Sequence, residues 1–144
     1  MQLLTKQTDY AIRVLIYLAL NKNGFIGASK ISEGERIPYQ FLRRTLQVLS
    51  KKNLVESKKG VGGGVKIKAN PNNIRIIDIT KHFQGDIELS SCMFRRKLCE
   101  NRNKCVLRAR LRKIEDIITQ QFKNITIASL INDMNKIKNE KESK

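Results

Sequence analysis

The first twenty residues carry apolar side chains at the spacing of a buried helix. Ala11, Leu15 and Leu18 recur at intervals of three or four residues and share one face. Thr5 has the short, oxygen-bearing side chain that caps helices, so the pattern predicts a helix from residue 5 to residue 20. Because apolar residues fill much of the rest of this segment, we expect it to be buried on more than one side.

Two shorter helical patterns follow a glycine-containing loop. The first covers Ala28–Glu35, with Ile31 as its inward residue, and the second runs from Pro38 to about Lys52. The second pattern has a predicted apolar face that consists of Phe41, Leu42, Leu46 and Leu49. Its polar face consists of Gln40, Arg43, Arg44, Gln47 and Lys51.

Two short helices joined by a tight turn, the second with a basic outer face, are typical of a helix-turn-helix. Arginine can donate two hydrogen bonds to guanine and glutamine can pair with adenine, so this face has the side chains that base reading requires. A solvated helix face without special function explains the same spacing equally well. The segment that follows favours DNA binding.

A predicted β-hairpin comes directly after this helix. Strand patterns at Leu54–Lys59 and Val65–Lys68 flank the glycine run Gly60–Gly64, and the hairpin places Lys58 and Lys59 at its tip. A basic hairpin behind a recognition-type helix is typical of the wing of a winged helix. The glycine run lacks the P-loop pattern and opens no helix, so we do not expect it to bind nucleotide phosphates.

The second half of the chain is predicted to be helical outside its cysteine-rich segment. A short helix is predicted at Ile74–Phe83, the longest at Cys105–Lys123 and another short one at Thr126–Asn132. The charged tail from Asn135 is expected to fray. The apolar stripe of the longest helix consists of Leu107, Leu111, Ile114 and Ile118. We expect this stripe to form a dimer, and packing against its own domain is the alternative.

These patterns predict a mostly α fold with a small β-hairpin wing, namely a winged helix-turn-helix followed by a long dimerisation helix. The predicted parts are a DNA-binding domain at 1–85, a cysteine loop at 86–106, a dimerisation helix with a short C-terminal helix at 107–134 and a frayed tail at 135–144.

The chain of 144 residues has a formal net charge of +16, and this charge indicates what kind of partner the protein binds. Such a basic chain is expected to bind a polyanion, nucleic acid first and an anionic membrane surface second. Charges interrupt every apolar run and no leader sequence is evident, so we expect a cytoplasmic protein without membrane spans. With one histidine and no Ser-His-Asp set, enzymatic activity is not expected.

All three cysteines lie in one basic segment, between residues 91 and 112. Cys92, Cys99 and Cys105 have six and five residues between them, and nine Lys or Arg residues lie between Arg95 and Lys113. Nearby positive charge favours the thiolate, which binds metals and reacts. An odd number of close cysteines speaks against a disulfide framework. The segment indicates a metal or iron–sulfur centre, with a zinc site or a thiol redox switch as alternatives.

The chain resembles a bacterial family of winged-helix regulators, the IscR, NsrR and RirA type. The likeness runs from Leu3 to about Asn132, and its most specific parts are the opening LTKQTDYAIR, the wing sequence KGVGGG and the three-cysteine segment before a long helix. The resemblance implies a homodimer with crossed long helices and two helix-turn-helix heads that bind a roughly palindromic operator in duplex DNA.

The resemblance also implies that Cys92, Cys99 and Cys105 are ligands of an iron–sulfur cluster. In one type of member the fourth ligand is a histidine three residues after the last cysteine, but Arg108 occupies that position here and cannot coordinate iron. In the nitric-oxide-sensing type an aspartate from the first helix of the other subunit completes the site, and this position matches Asp9. From the residues alone, Asp9 is expected either to pair with Arg13 one helical turn away or to interact favourably with the start of the helix.

The family's DNA contacts correspond to Gln40, Arg43 and Arg44 on the recognition helix and to Lys59 in the wing, with Tyr39 and Lys58 beside them as further candidates. The chain has Val61 where the family usually has proline in the wing turn. The resemblance therefore implies a transcriptional regulator, and specifically a repressor. Its operator affinity is expected to depend on a cluster that senses nitric oxide, redox state or iron. A four-iron cluster is favoured over a two-iron one.

Overall fold

The computed structural model describes residues 3–89, 99 and 103–143. Helices α1, α2 and α3 are followed by a two-stranded hairpin, β1 and β2, and then by helices α4, α5 and α6. Their bounds are Lys6–Leu20 for α1, Ala28–Glu35 for α2, Tyr39–Lys51 for α3, Val55–Lys58 for β1, Gly64–Ile67 for β2, Ile76–Gln84 for α4, Val106–Asn124 for α5 and Ile127–Glu142 for α6. The mostly α fold with a hairpin wing is as predicted.

Helix α1 lies at the centre of the fold. It contacts α2, α3, α4, α6 and β2, and its residues Ala11, Val14 and Leu15 are fully buried. Thr5 caps it, because the Thr5 hydroxyl accepts a hydrogen bond from the backbone N–H of Thr8. The predicted burial on more than one side is therefore confirmed.

The helix-turn-helix consists of α2 and α3. Between them Ile37 is buried, and the Ser32 hydroxyl donates to its carbonyl oxygen over 2.7 Å. Pro38 precedes the first residue of α3, a position where a fixed φ favours helix initiation. The turn therefore ties the end of α2 to the start of α3.

The wing is pinned to the loop between α1 and α2. Strands β1 and β2 pair antiparallel, with Val55 opposite Ile67 and Lys58 opposite Gly64. Val65 also forms a two-way backbone bridge to Ile26, with N–O distances of 2.8 and 2.9 Å. Gly64 has a φ of +141°, and a Cβ placed there would lie 2.3 Å from the carbonyl oxygen of Ile26. Only glycine fits this contact without displacing backbone.

Helix α5 packs on α4 but has no buried residue. The predicted stripe divides into two sides, since Leu111 and Ile118 are partly buried whereas Leu107 and Ile114 are 67% and 46% exposed. The exposed pair is extended by Val106 and Ile117, which sequence reasoning did not include. The described residues of the chain thus leave an apolar face of four side chains uncovered.

Helix α6 begins with a capping box between Thr126 and Ser129, whose side chains and backbone N–H groups bond reciprocally. It continues to Glu142, through the residues for which the sequence pattern predicted a fraying tail from Asn135. The helix continues for a local reason: the segment after Asn135 lacks proline and glycine, and apolar residues persist at Met134 and Ile137. In the described parts of the chain, the helices are too short or too polar to cross a membrane.

Candidate functional site

The outward face of α3 carries exposed polar side chains, as the pattern predicted. Gln40, Arg43 and Arg44 are exposed, while Leu42 and Leu49 on the opposite face are fully buried. Tyr39 at the helix start is 47% exposed. Two arginines, a glutamine and a phenol therefore project from one helix that is fixed by its apolar side.

Phe41 departs from its predicted place on the apolar face. Its side chain is 49% exposed, and its ring packs on Tyr10 of α1, with 6.2 Å between the ring centroids and a tilted arrangement. Position 41 lies at the edge of the buried stripe, so the ring reaches across to α1 instead of into the core. The contact connects the recognition-type helix with the helix that carries Asp9.

The wing presents its basic residues beside α3. Lys58 ends β1 and Lys59 follows in the turn, and both side chains are exposed. Val61, at the position of the family's usual proline, is fully exposed at the tip. A second set of cations therefore lies on a different element from the arginines of α3.

Asp9 is exposed in the first turn of α1, and its described partner is Arg13, at 3.7 Å. Arg13 also reaches α2, because its Nε lies 3.2 Å from the Glu35 carboxylate and its Nη2 donates to the Glu35 carbonyl oxygen. The predicted one-turn ion pair is thus confirmed, and the arginine additionally joins Asp9 to the end of α2. Sequence spacing gave no signal for this second contact, because Glu35 lies in another helix.

The start of α1 is held by Gln84, the last residue of α4. The Gln84 side-chain oxygen accepts hydrogen bonds from the backbone N–H of Thr5 and the hydroxyl of Thr8, over 2.9 and 2.7 Å. Its amide nitrogen donates to the carbonyl oxygen of Leu3 over 2.8 Å. Thr8 is fully buried, so losing this acceptor leaves a buried hydroxyl with less hydrogen bonding. Gln84 therefore fixes the turn from which Asp9 projects.

The structure describes two of the three cysteines, and Cys92 lies outside the described residues. Cys99 and Cys105 are free thiols, the first partly buried and the second exposed. Cys105 caps α5, and its sulfur accepts a hydrogen bond from the backbone N–H of Arg108 over 3.4 Å. Hydrogen bonds to cysteine sulfur are among the influences that tune iron–sulfur clusters.

The cysteine loop, residues 86–106, is connected to α5 near both of its ends. At one end Cys105 begins the helix, and at the other the backbone N–H of Leu89 donates to the Glu115 carboxylate over 2.8 Å. Glu115 is partly buried on the side of α5 that faces its own domain, among Leu111 and Ile118. In the sequence, the position of Glu115 on the same helix face as Leu111 and Ile118 is the signal that could have indicated a buried partner for its carboxylate.

His82, the single histidine, is exposed near the end of α4. Partial burial of its ring and the neighbouring Lys52 lower the pKa of His82 from its ordinary value, against a smaller opposing effect of Asp78.

Across residues 3–89, 99 and 103–143, the His, Cys, Asp and Glu side chains form no group of three that could hold a metal ion. Asp9 pairs with Arg13 on α1, whereas Cys105 begins α5. The donor chemistry nevertheless fits an iron–sulfur cluster, because thiolates and an exposed carboxylate are ligands that iron accepts. Residues 4–133 match the family profile of Rrf2, described as an iron-dependent transcriptional regulator.

The chain belongs to the Rrf2 family. Similar proteins include an HTH-type transcriptional regulator of Aquifex aeolicus, 32% identical over 85% of this chain and 87% of its own length. The HTH-type transcriptional regulator NsrR of Shouchella clausii is 30% identical over 89% of this chain and 87% of its own. Membership of the Rrf2 family makes the protein a transcriptional regulator and not an enzyme.

The fold of this Rrf2 protein is also that of a solved relative. The structure of T. potens IscR superimposes with a TM-score of 0.73, at 21% identity, over 91% of this chain and 87% of that one. The likeness supports the winged-helix architecture.

We expect Glu115→Ala to increase local opening at the start of the cysteine loop, because the backbone N–H of Leu89 then loses its charged hydrogen-bond acceptor. A loss of about 1.5 kcal/mol, at the low end for a bond to a charged group, would speed amide hydrogen exchange at Leu89 roughly tenfold. Asp116→Ala, which removes an exposed acid next to it on α5, is the matched control. Unchanged exchange at Leu89 in Glu115→Ala would contradict a role for this bond.

Proposed function

We propose that the protein is a homodimeric, operator-binding regulator whose DNA affinity depends on an iron–sulfur cluster, with a four-iron form favoured over a two-iron form. The observation that carries the DNA-binding part is the outward face of α3. Gln40, Arg43 and Arg44 project from a helix whose other side is buried, with Lys58 and Lys59 of the wing as a second basic element. Arginine and glutamine supply base contacts, and lysines supply phosphate contacts.

The dimer is supported by the uncovered face of α5. Val106, Leu107, Ile114 and Ile117 are between 46% and 72% exposed, which is unusual for four apolar residues on one helix side. A second copy of the same helix can cover such a face in an isologous contact. Two heads held in this way would match two half-sites of a palindromic operator.

The proposed ligands are Cys92, Cys99 and Cys105 of one subunit and Asp9 of the other. Three thiolates and a carboxylate carry four negative charges, which the Lys and Arg residues between Arg95 and Lys113 would offset in part. Asp9 fits the role of fourth ligand because its carboxylate is exposed and Arg108 offers no metal-binding atom. When bound, the cluster supplies a redox-active and nitric-oxide-reactive centre.

Asp9 connects this proposed site to the DNA-binding head. Its partner Arg13 also binds both the side-chain carboxylate and the backbone carbonyl of Glu35, the last residue of α2. A carboxylate committed to iron pairs less well with Arg13, so the charge balance at the end of α2 would change with the state of the site. Asp9 is followed by Tyr10, whose ring packs on Phe41 of α3, so the same turn of α1 contacts both helices of the head.

Anaerobically purified protein should be brown, and Cys105→Ala should lose the visible absorption because a thiolate ligand is removed. Asp9→Ala should keep the colour at first but lose it faster on exposure to nitric oxide, since carboxylate is the harder and weaker ligand. Asp116→Ala serves as the control for removal of an exposed acid. A colourless protein with stoichiometric zinc would support the zinc alternative and contradict the cluster.

Ile114→Glu should convert the dimer to a monomer, because it places a charge in the apolar face of α5. The matched control is Ala109→Glu, which adds the same charge at an exposed position outside that face. Light scattering coupled to size-exclusion chromatography measures the mass of each. A dimer in Ile114→Glu, or a monomer in the unchanged protein, would contradict the proposed interface.

Arg43→Ala should cost roughly 1–3 kcal/mol of binding to an operator selected from random duplexes and should relax sequence preference, as expected of a base contact. Lys59→Ala should weaken all duplexes alike and reduce the salt dependence of binding, as expected of a phosphate contact. Fluorescence anisotropy over a series of salt concentrations separates the two. Equal losses on selected and scrambled duplexes in Arg43→Ala would show that Arg43 does not read bases.

A further inference from the structure

The outer face of the wing has an aromatic ring beside two lysine ammonium groups. The Nζ of Lys66 lies 4.7 Å from the centroid of the Phe25 ring, and the Nζ of Lys58 lies 5.8 Å from it. Both distances are within the range of a cation–π interaction. Phe25 belongs to the loop between α1 and α2, so the ring comes from outside the hairpin.

Strand alternation explains why these groups share a face. Val55 and Val65 point into the core. Lys58 lies three residues after Val55 and Lys66 one residue after Val65, so strand alternation directs both lysines outward. Ile26 bridges to Val65 and packs against the core, so its neighbour Phe25 points to the outer side. The backbone bridge therefore fixes the ring on the basic face of the wing.

The two lysines have different surroundings. Lys66 lies 3.3 Å from the Glu56 carboxylate, so its ammonium is held between an acid and the ring. Among the described residues, Lys58 has no carboxylate at ion-pair distance, and its ammonium lies over the Phe25 ring. Lys66 therefore anchors the ring, and the charge of Lys58 is available to another anion.

We propose that Phe25 is a positioning residue for DNA binding, which holds the Lys58 ammonium on the outer face of the wing for contact with a phosphodiester of the duplex. Lysine has a long, flexible stem that loses freedom when it binds a phosphate. The ring restricts this freedom before binding, so less is lost on association. The inference rests on the proposed function, namely that the wing contacts DNA.

The test is a set of mutant cycles measured by operator binding over a range of salt concentrations. Phe25→Leu keeps an apolar side chain but removes the π face, and it should weaken operator binding about two- to fivefold, as expected for a solvent-exposed cation–π contact. Phe25→Tyr keeps the π face and should restore binding. The salt slope should fall in Phe25→Leu towards that of Lys58→Ala, which a purely structural loss would not cause.

The neighbouring lysine supplies the control. Phe25→Leu combined with Lys58→Ala should bind no more weakly than Lys58→Ala alone, because the ring then has nothing to position. When Phe25→Leu is combined with Lys59→Ala, the two losses should add, because Lys58 and Lys66 are the described lysines whose ammonium groups lie over the ring. Additive losses in the Lys58 pair, or no rescue by Phe25→Tyr, would overturn the inference.

An NMR measurement on the unchanged protein does not depend on how any variant folds. The side-chain protons next to the Lys58 ammonium should be shifted upfield by the ring relative to those of Lys59, and unshifted protons would also overturn the inference. Failure here is distinguishable from failure of the proposed function. If Arg43→Ala still relaxes sequence preference while the Phe25 cycles show no coupling, DNA binding stands and the role of Phe25 falls.

Discussion

The burial of α1 is the constraint on which the rest of the structure depends. Ala11, Val14 and Leu15 are fully buried, and α2, α3, α4, α6 and β2 all pack against this helix. Both parts of the DNA-binding head are therefore positioned by one element. Because Asp9 and Arg13 lie on the exposed side of the same helix, a change in their partners acts on the element that the head is built around.

Much of the fold could be predicted from sequence because its determinants are local. The spacing of Leu42, Leu46 and Leu49 fixes the buried side of α3, and glycines mark the hairpin turn. The tail from Asn135 was less predictable, since helix formation there depends on a capping box and the absence of helix breakers more than on buried residues. Within the apolar stripe of α5, Leu111 and Ile118 are partly buried and Leu107 and Ile114 are exposed because α4 covers one side of the helix. Periodicity in the sequence does not specify which side is covered.

The sequence predicts residue types for the candidate site but not the network of contacts around them. Spacing and family resemblance point to the cysteines, Asp9 and the polar face of α3. The contacts of Gln84 with Thr8, of Glu115 with Leu89 and of Arg13 with Glu35 join residues that are distant in sequence. Such pairs follow from tertiary packing, so a single sequence contains little information about them.

The close approach of Gly64 to Ile26 has a consequence for how this regulator can change. Any side chain at position 64 would meet the carbonyl oxygen of Ile26, so a residue larger than glycine would have to displace the paired backbone bridge between Ile26 and Val65. The two hydrogen bonds of this bridge join the base of the wing to the loop after α1. Within the wing, sequence divergence is consequently confined to side chains on the hairpin's outer surface and tip, because the contact at position 64 leaves no room for a side chain.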